Sequence, residues 1–311
     1  MENASTKKHV VFQCYYLMKD KEYDINSFDL IKKSIKSVRI NCISLNIDYR
    51  FIFNHDPISK LEDSISDLID GNLEPTSLNS RNSELLISGL KELMDEDELV
   101  LVNDFKLDEV NFDSMKIESF KYLFNQGYHE VTCMDCDVFL DNSSLFEIKY
   151  LSNLDVAVPW YEFPYGSKSL RRVKSSEELL KYHTKDELYP LTYNEVTRAF
   201  DEFNISFVKF NRSLFYKFLP TYDYLLKLIK NSPMDQSLKN YILPFLPFQH
   251  GLAGFCKNNN IDAILFKNTR LRDIDNGGET WMIYSPGVNF LHYGGANKYT
   301  DECVNFKNFN E

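Results

Sequence analysis

Two aspartates, Asp135 and Asp137, stand one residue apart in the stretch GYHEVTCMDCDVFLDN, which closes at Asn142. On an extended chain the side chains of residues i and i+2 point the same way. Both carboxylates can therefore converge on one hard cation, or on a cation and a ribose. Their neighbours are apolar: Val131, Cys133 and Met134 before, Val138, Phe139 and Leu140 after. Charges set in such a run are costly to bury without a cation or donors to satisfy them, which separates this triplet from an ordinary solvated acidic turn. If Val131 to Met134 is a strand, the pair falls at its carboxyl end, where open α/β sheets hold their ligands.

A second group comes late in the chain, in His292-Tyr293-Gly294-Gly295-Ala296-Asn297-Lys298. Carboxylate oxygens and an imidazole nitrogen suit Mn²⁺ or Mg²⁺. The glycines permit backbone approach to a phosphate, and Lys298 supplies a point charge. Each part has a plainer reading: a hydrogen-bonded core histidine, a simple turn, a solvated lysine. Taken with Asp135 and Asp137, they suit a metal-bound diphosphate. Cys133 and Cys136 form a C-x-x-C, but no second pair at zinc spacing accompanies it, and it does not open a helix. The six cysteines are therefore expected to be core thiols.

The elements that must position these groups follow from hydrophobic pattern and turn signals. Strands are expected at His9 to Leu17, Tyr49 to Phe53, Leu99 to Val102, Val131 to Met134 and Asp155 to Trp160, with further extended segments at Ile40 to Leu45 and Ile205 to Phe218. A last strand, Val288 to Leu291, delivers His292. Helices are expected at Ser27 to Val38 with Ser27 as N-cap, Ser83 to Met94, Ile117 to Asn125, Ser143 to Leu151, Tyr222 to Lys230 and, after Pro233, Asp235 to Leu243. The alternation predicts an α/β fold, a mostly parallel sheet flanked by helices. No repeat or linker divides it. One domain over 1–311 is expected, with an inserted segment at about 161–204 and a short tail at about 300–311.

The formal net charge of −11 argues against whole-surface attraction to nucleic acid or anionic lipid. One segment departs from this. Tyr165 to Lys185 carries Lys168, Arg171, Arg172, Lys174, Lys181 and Lys185 against Glu177 and Glu178, six positive charges to two negative, a net of +4. It reads either as a surface loop with a solvated helix or as an arm that meets an anionic donor or acceptor. No apolar run approaches the roughly 20 residues of a membrane span, and no secretory signal opens the chain. A soluble, cytoplasmic protein of a bacterium or a virus-infected host cell is the expectation.

Three motifs in order carry a family resemblance: MDCDVFLDN around the aspartates, FNRSLF at Phe210 to Phe215 followed by DQSLKN at Asp235 to Asn240, and His292-x-x-Gly295-x-x-Lys298. In these the chain resembles nucleotide-sugar glycosyltransferases of the GT-A (Rossmann-like) fold, most of all the retaining family eight that includes glycogenin and lipopolysaccharide galactosyltransferases. Cys136 stands where alanine is commoner, and Tyr299 where proline is usual. The resemblance implies a Mn²⁺ or Mg²⁺ site at Asp135, Asp137 and His292, with Asp137 also meeting the diphosphate and Gly295 and Lys298 holding it. It places Asn211 toward the donor sugar and Asp235 and Gln236 beside the anomeric carbon, and offers Lys116 or Lys121 as the basic residue upstream.

The expected activity is metal-dependent transfer of a sugar from a UDP-linked donor to a hydroxyl of a glycan, lipid or protein, with retention of configuration. Two other readings compete. The acceptor is a hydroxymethylated DNA base, reached by base flipping and contacted through Lys168, Arg171, Arg172 and Lys174, or the chain is a non-catalytic nucleotide-binding module. A metal-dependent phosphohydrolase would leave DQSLKN and HYGGANK unexplained.

Overall fold

The computed structural model describes residues 8–17, 25–54, 76–107, 111, 113–140, 154–160, 170–265, 270–273, 280–284 and 290–295. In chain order they form β1 (His9–Tyr16), α1 (Ile25–Ser44), β2 (Asp48–Asn54), α2 (Thr76–Lys91), β3 (Leu99–Val102), α3 (Asp113–Asn125), β4 (Glu130–Met134), β5 (Val138–Leu140) and β6 (Val156–Ala157). There follow α4 (Leu170–Tyr182), β7 (Tyr193–Asn194), β8 (Ala199–Phe200), β9 (Phe207–Asn211), α5 (Arg212–Asn231), α6 (Gln236–Ile242), a π-helical turn (Leu246–His250) and α7 (Gly251–Asn258). The last strands are β10 (Arg270–Asp273), β11 (Thr280–Tyr284) and β12 (Phe290–Gly295). The helix expected at Ser143 to Leu151 lies outside the described residues, as does the tail from about 300.

Two expectations are corrected. Ile40 to Leu45 is not extended: α1 runs through Ser44, because Ile31, Ile35, Val38 and Cys42 keep one buried stripe at helical spacing. The helix ends where Asn46 takes a left-handed conformation at φ 55°, with Asn46 N–H donating to the Ile43 carbonyl and Ile47 N–H to that of Cys42. That pair of bonds closes a helix end for which asparagine or glycine is suited. Ile205 to Phe218 is strand only as far as Asn211. There the Asn211 side chain accepts a hydrogen bond from Leu214 N–H and starts α5. Phe215 and Phe218, read as part of an extended aromatic run, join Tyr222, Leu225 and Ile229 of the expected helix on its buried face.

The chain divides into two compact units. The first comprises Met1–His9, Leu107–Cys133 and Lys149–Lys267. Its hydrogen-bonded strands include β4, β9 and β6 in that order, β6 and β9 antiparallel. Its core is aromatic: Phe120, Phe124, Phe210, Phe215, Phe218 and Phe248 form a continuous set of stacked and edge-on rings. Each such ring buries a large apolar area and prefers the offset or edge-on arrangements found here.

The second unit comprises Val10–Lys106, Met134–Ile148 and Asn268–Glu311. Here β3, β2 and β1 are neighbours, all parallel, in the register Val10 to Asp48 and Phe51 to Leu99. Helix α1 packs on β2 and β5. A separate antiparallel sheet runs β10, β11, β12, β5. The α/β class and the mostly parallel sheet with flanking helices hold.

Candidate functional site

Strand β4 ends at the buried Met134, and β5 begins at Val138. The two aspartates occupy the turn between them, closed by Val138 N–H donating to the Asp135 carbonyl at 3.2 Å. The extended-chain argument for their convergence is thus replaced by a tight turn, which gathers Asp135 and Asp137 into four residues of bent chain. Asp135 is half-buried, and Asp137 is only 8% exposed. Carboxylates this far from water need donors or a cation around them.

The third proposed ligand comes from the far end of the chain. Strand β12 pairs antiparallel with β5, and His292 stands opposite Val138, the residue next to Asp137. The side chain of His292 lies outside the described residues. Gly295 ends β12, opposite Thr280 of β11. Lys298 lies outside the described residues. Among the described residues no three His, Cys, Asp or Glu side chains cluster closely enough to hold a metal. Carboxylate oxygens and an imidazole nitrogen are the hard and borderline donor types that Mn²⁺ and Mg²⁺ take.

The turn is gripped from behind by residues the sequence reading passed over. Gln13 and Ser34 are fully buried, and Tyr49 nearly so. Gln13 Nε2 donates to the Asp135 carbonyl at 3.0 Å and to Ser34 Oγ at 2.9 Å, and Ser34 Oγ donates to the Val138 carbonyl at 2.6 Å. The available signal was a glutamine inside the apolar run HVVFQCYY and a serine on the apolar stripe of α1. Cys136 Sγ donates to the Cys14 carbonyl at 3.5 Å, and among the described residues the cysteines are unbridged thiols. Burial raises the Cys42 thiol far out of its ordinary range and pushes that of Cys256 up to about 12, which suits inert core residues.

The other proposed site residues belong to the first unit. Asn211 caps α5, donates through Nδ2 to the Asp155 carboxylate, and lines a surface depression of about 480 Å³ with His129, Glu130, Arg212, Ser213 and Tyr216. Asp235 is exposed and caps α6, its carboxylate accepting from Ser237 N–H at 2.8 Å. Bonds from the Ser237 hydroxyl and N–H hold the Asp235 carboxyl below its usual range. Gln236 Nε2 donates to Asn240 Oδ1 at 2.8 Å, one turn along the helix. Lys116 donates to the Ile205 carbonyl at 3.3 Å, and Lys121 pairs with Glu118 at 2.7 Å, so both upstream basic candidates are engaged within the first unit.

The basic segment is only partly a surface feature. Arg172 of α4 forms an ion pair with the fully buried Glu202, and its guanidinium stacks over the Phe245 ring, 4.9 Å from the centroid. His250 completes the cluster: its Nδ1 is 2.9 Å from the Asp201 carbonyl, and its Nε2 is 3.5 Å from the Glu202 carboxylate. Arg172 is thereby tied into the fold of the first unit. Lys174 is exposed. Lys168 and the side chain of Arg171 lie outside the described residues.

No protein-family model matches the chain, and no curated protein matches it. Similar solved structures are distant. A protein from Desulfovibrio desulfuricans G20, assigned as a nucleotide-diphospho-sugar transferase, shows 10% identity over 50% of this chain and 58% of that one, with a TM-score of 0.31. Mouse xyloside xylosyltransferase 1, in its apo form, shows 11% identity over 82% and 77%, with a TM-score of 0.36. The galactosyltransferase LgtC, in complex with donor and acceptor sugar analogs, shows 14% identity over 75% and 69%, with a TM-score of 0.31. The chain spans a little over half the length of the first of these. At such scores the likeness carries no argument, and function has to be read from the residues. No helix of the described residues is long and apolar enough to cross a membrane.

Proposed function

We propose that the chain is a GT-A-like, metal-dependent glycosyltransferase that moves a sugar from a nucleotide-sugar, UDP-linked, to a hydroxyl acceptor with retention of configuration. The observation that carries this reading is the pairing of β12 with β5, which sets His292 opposite Val138, beside Asp137, from 154 positions further along the chain. That register brings two of the three motifs together from distant parts of the sequence, as one shared site would require. Asp135, Asp137 and His292 would hold a divalent ion. Such an ion, when bound, supplies Lewis-acid stabilisation of a leaving diphosphate.

The chain's own groups do the rest. Gly295 admits the diphosphate close to the backbone, and Lys298 adds a positive charge beside it. The bond from the anomeric carbon to the diphosphate breaks, its electron pair leaving with the diphosphate oxygen. The acceptor oxygen bonds to that carbon, and its proton passes to the departing diphosphate or to water. Asn211, Asp235 and Gln236 are proposed to orient the donor sugar and shield its oxocarbenium character. Isothermal titration of UDP with and without Mn²⁺, followed by a nucleotide-sugar screen for Mn²⁺-stimulated hydrolysis, tests the reading. Uptake of UDP that is indifferent to the metal would sink it.

A further inference from the structure

We infer that Gln13, Ser34 and Tyr49 are positioning residues, a buried hydrogen-bonded brace that fixes the Asp135 to Val138 turn in shape before any ligand reaches it. The inference rests on the proposed reading of that turn as a metal and diphosphate site. Its physical basis is a hydrogen-bond chain in which each proton has one assignment. Tyr49 O–H donates to Gln13 Oε1 at 2.9 Å, both Gln13 Nε2 protons go to Ser34 Oγ and the Asp135 carbonyl, and the Ser34 proton goes to the Val138 carbonyl. Reversing the Gln13 amide would set its oxygen against the Asp135 carbonyl, so the amide has one satisfactory orientation. Burial raises the Tyr49 phenol well above its ordinary range, which keeps it a donor.

Two features mark this as more than packing. The carbonyls gripped are those of Asp135 and Val138, the first and last residues of the turn, and the turn's own bond runs from Val138 N–H to the Asp135 carbonyl at 3.2 Å. The grip also continues onto β5: Ser37 Oγ, one turn beyond Ser34 on α1, accepts from Leu140 N–H at 3.3 Å. The brace therefore fixes β5, and β5 sets the register of the strand that carries His292. Burying a glutamine, a serine and a tyrosine hydroxyl where Ile31, Ile35 and Val38 show that apolar residues fit is unfavourable unless the polar groups are matched. Here they are matched to the backbone on which the carboxylates ride. Groups standing behind metal ligands in this way typically shift affinity about 10–100-fold.

The test is direct Mn²⁺ binding in the presence of UDP, followed by the electron paramagnetic resonance signal of the unbound ion, on wild type, Gln13→Leu, Ser34→Ala and Ser34→Thr. Amide hydrogen exchange at Val138 is read on the same proteins without metal. Gln13→Leu and Ser34→Ala are expected to weaken Mn²⁺ uptake about 10–100-fold and to speed exchange at Val138 while the chain stays folded. Ser34→Thr, which restores the hydroxyl, returns both readings toward wild type. Folded variants that bind Mn²⁺ as wild type does overturn the brace and leave the site standing. Wild type that takes up no Mn²⁺ overturns the site itself, and the brace with it. Should both variants fail to fold, Tyr49→Phe, which loses a single oxygen at the far end of the chain of bonds, decides by the same two readings.

Discussion

Each unit buries a polar network, and the two use opposite chemistry. In the first unit the network is ionic: the partly buried Arg172 meets the fully buried Glu202 beside His250, and the buried Lys209 stands 3.3 Å from Glu130. In the second unit, behind the aspartate turn, it is neutral: an amide and two hydroxyls hold backbone carbonyls. An ionic cluster satisfies its charges within the chain and so holds elements together. A neutral brace that bonds the carbonyls of a turn fixes its backbone shape. The difference separates charges that build the fold from charges proposed to meet a ligand, and substitutions should divide along the same line, here taken in order of their effect on stability.

The largest effect is expected for Arg172→Ala, which leaves the Glu202 carboxylate buried without its guanidinium. Breaking a buried pair from one side costs about 3–5 kcal/mol, readable as a fall in the urea midpoint at constant m-value. Mn²⁺ uptake at the proposed aspartate site should not change. A loss below about 1 kcal/mol, the range of exposed pairs, would return Arg172 to the surface patch and weaken the contrast.

Next comes acid sensitivity from His9, whose Nε2 is 2.9 Å from Thr132 Oγ1. Burial, and secondarily the Lys209 cation, lower its pKa from 6.5 to about 4. The folded pKa lies below the unfolded one, so the unfolded chain takes the proton first. The associated stability is complete above pH 6.5 and is lost as pH falls to 4. About 2.5 units at 1.36 kcal/mol each gives roughly 3 kcal/mol. His9→Gln should flatten the wild-type slope across that window; parallel slopes would show that His9 is not the group responsible.

Why some of this was legible in sequence and some not follows from the range of the interactions. The strands at β1, β2, β3 and β4 declare themselves locally through Val, Phe and Tyr runs, and Asp135 and Asp137 through charge inside such a run. Helix α5 was partly misread because Phe210 to Phe218 satisfies both an aromatic strand and a buried helix face, and only the Asn211 cap decides between them. The pairing of Arg172 with Glu202 spans 30 residues, and that of Gln13 with Asp135 spans 122, with no periodic pattern to announce either. A lone polar residue at an apolar position, Gln13 or Ser34, was the available sign. It says that a partner exists without saying which.

Asp137→Asn reverses the expectation for Arg172. Two carboxylates one residue apart repel, so neutralising one should leave the metal-free thermal midpoint unchanged or raise it. Mn²⁺-dependent UDP uptake should fall by more than the roughly 10–100-fold expected for a residue behind the ligands. A variant that loses stability and keeps its metal would place Asp137 among the fold-building charges.

Asp235 is the charge that belongs to neither group by inspection, since it caps α6 and is also proposed to act on the sugar. Its exposure predicts the smallest effect on folding, and two substitutions separate its roles. Asn caps a helix about as well as Asp, so Asp235→Asn removes the charge and keeps the cap, whereas Asp235→Ala removes both. If the charge acts in transfer, both variants abolish turnover, by on the order of 100-fold or more, while UDP and Mn²⁺ bind as before. If Asp235→Asn turns over normally and Asp235→Ala does not, the carboxylate works only by starting α6. The hydrogen bonds from Ser237 that hold this carboxyl below its usual range also keep it ionised through the pH range of the assay. Turnover lost in Asp235→Asn would therefore reflect a missing negative charge rather than a missing proton donor, which is the behaviour a group facing an oxocarbenium-like sugar must show.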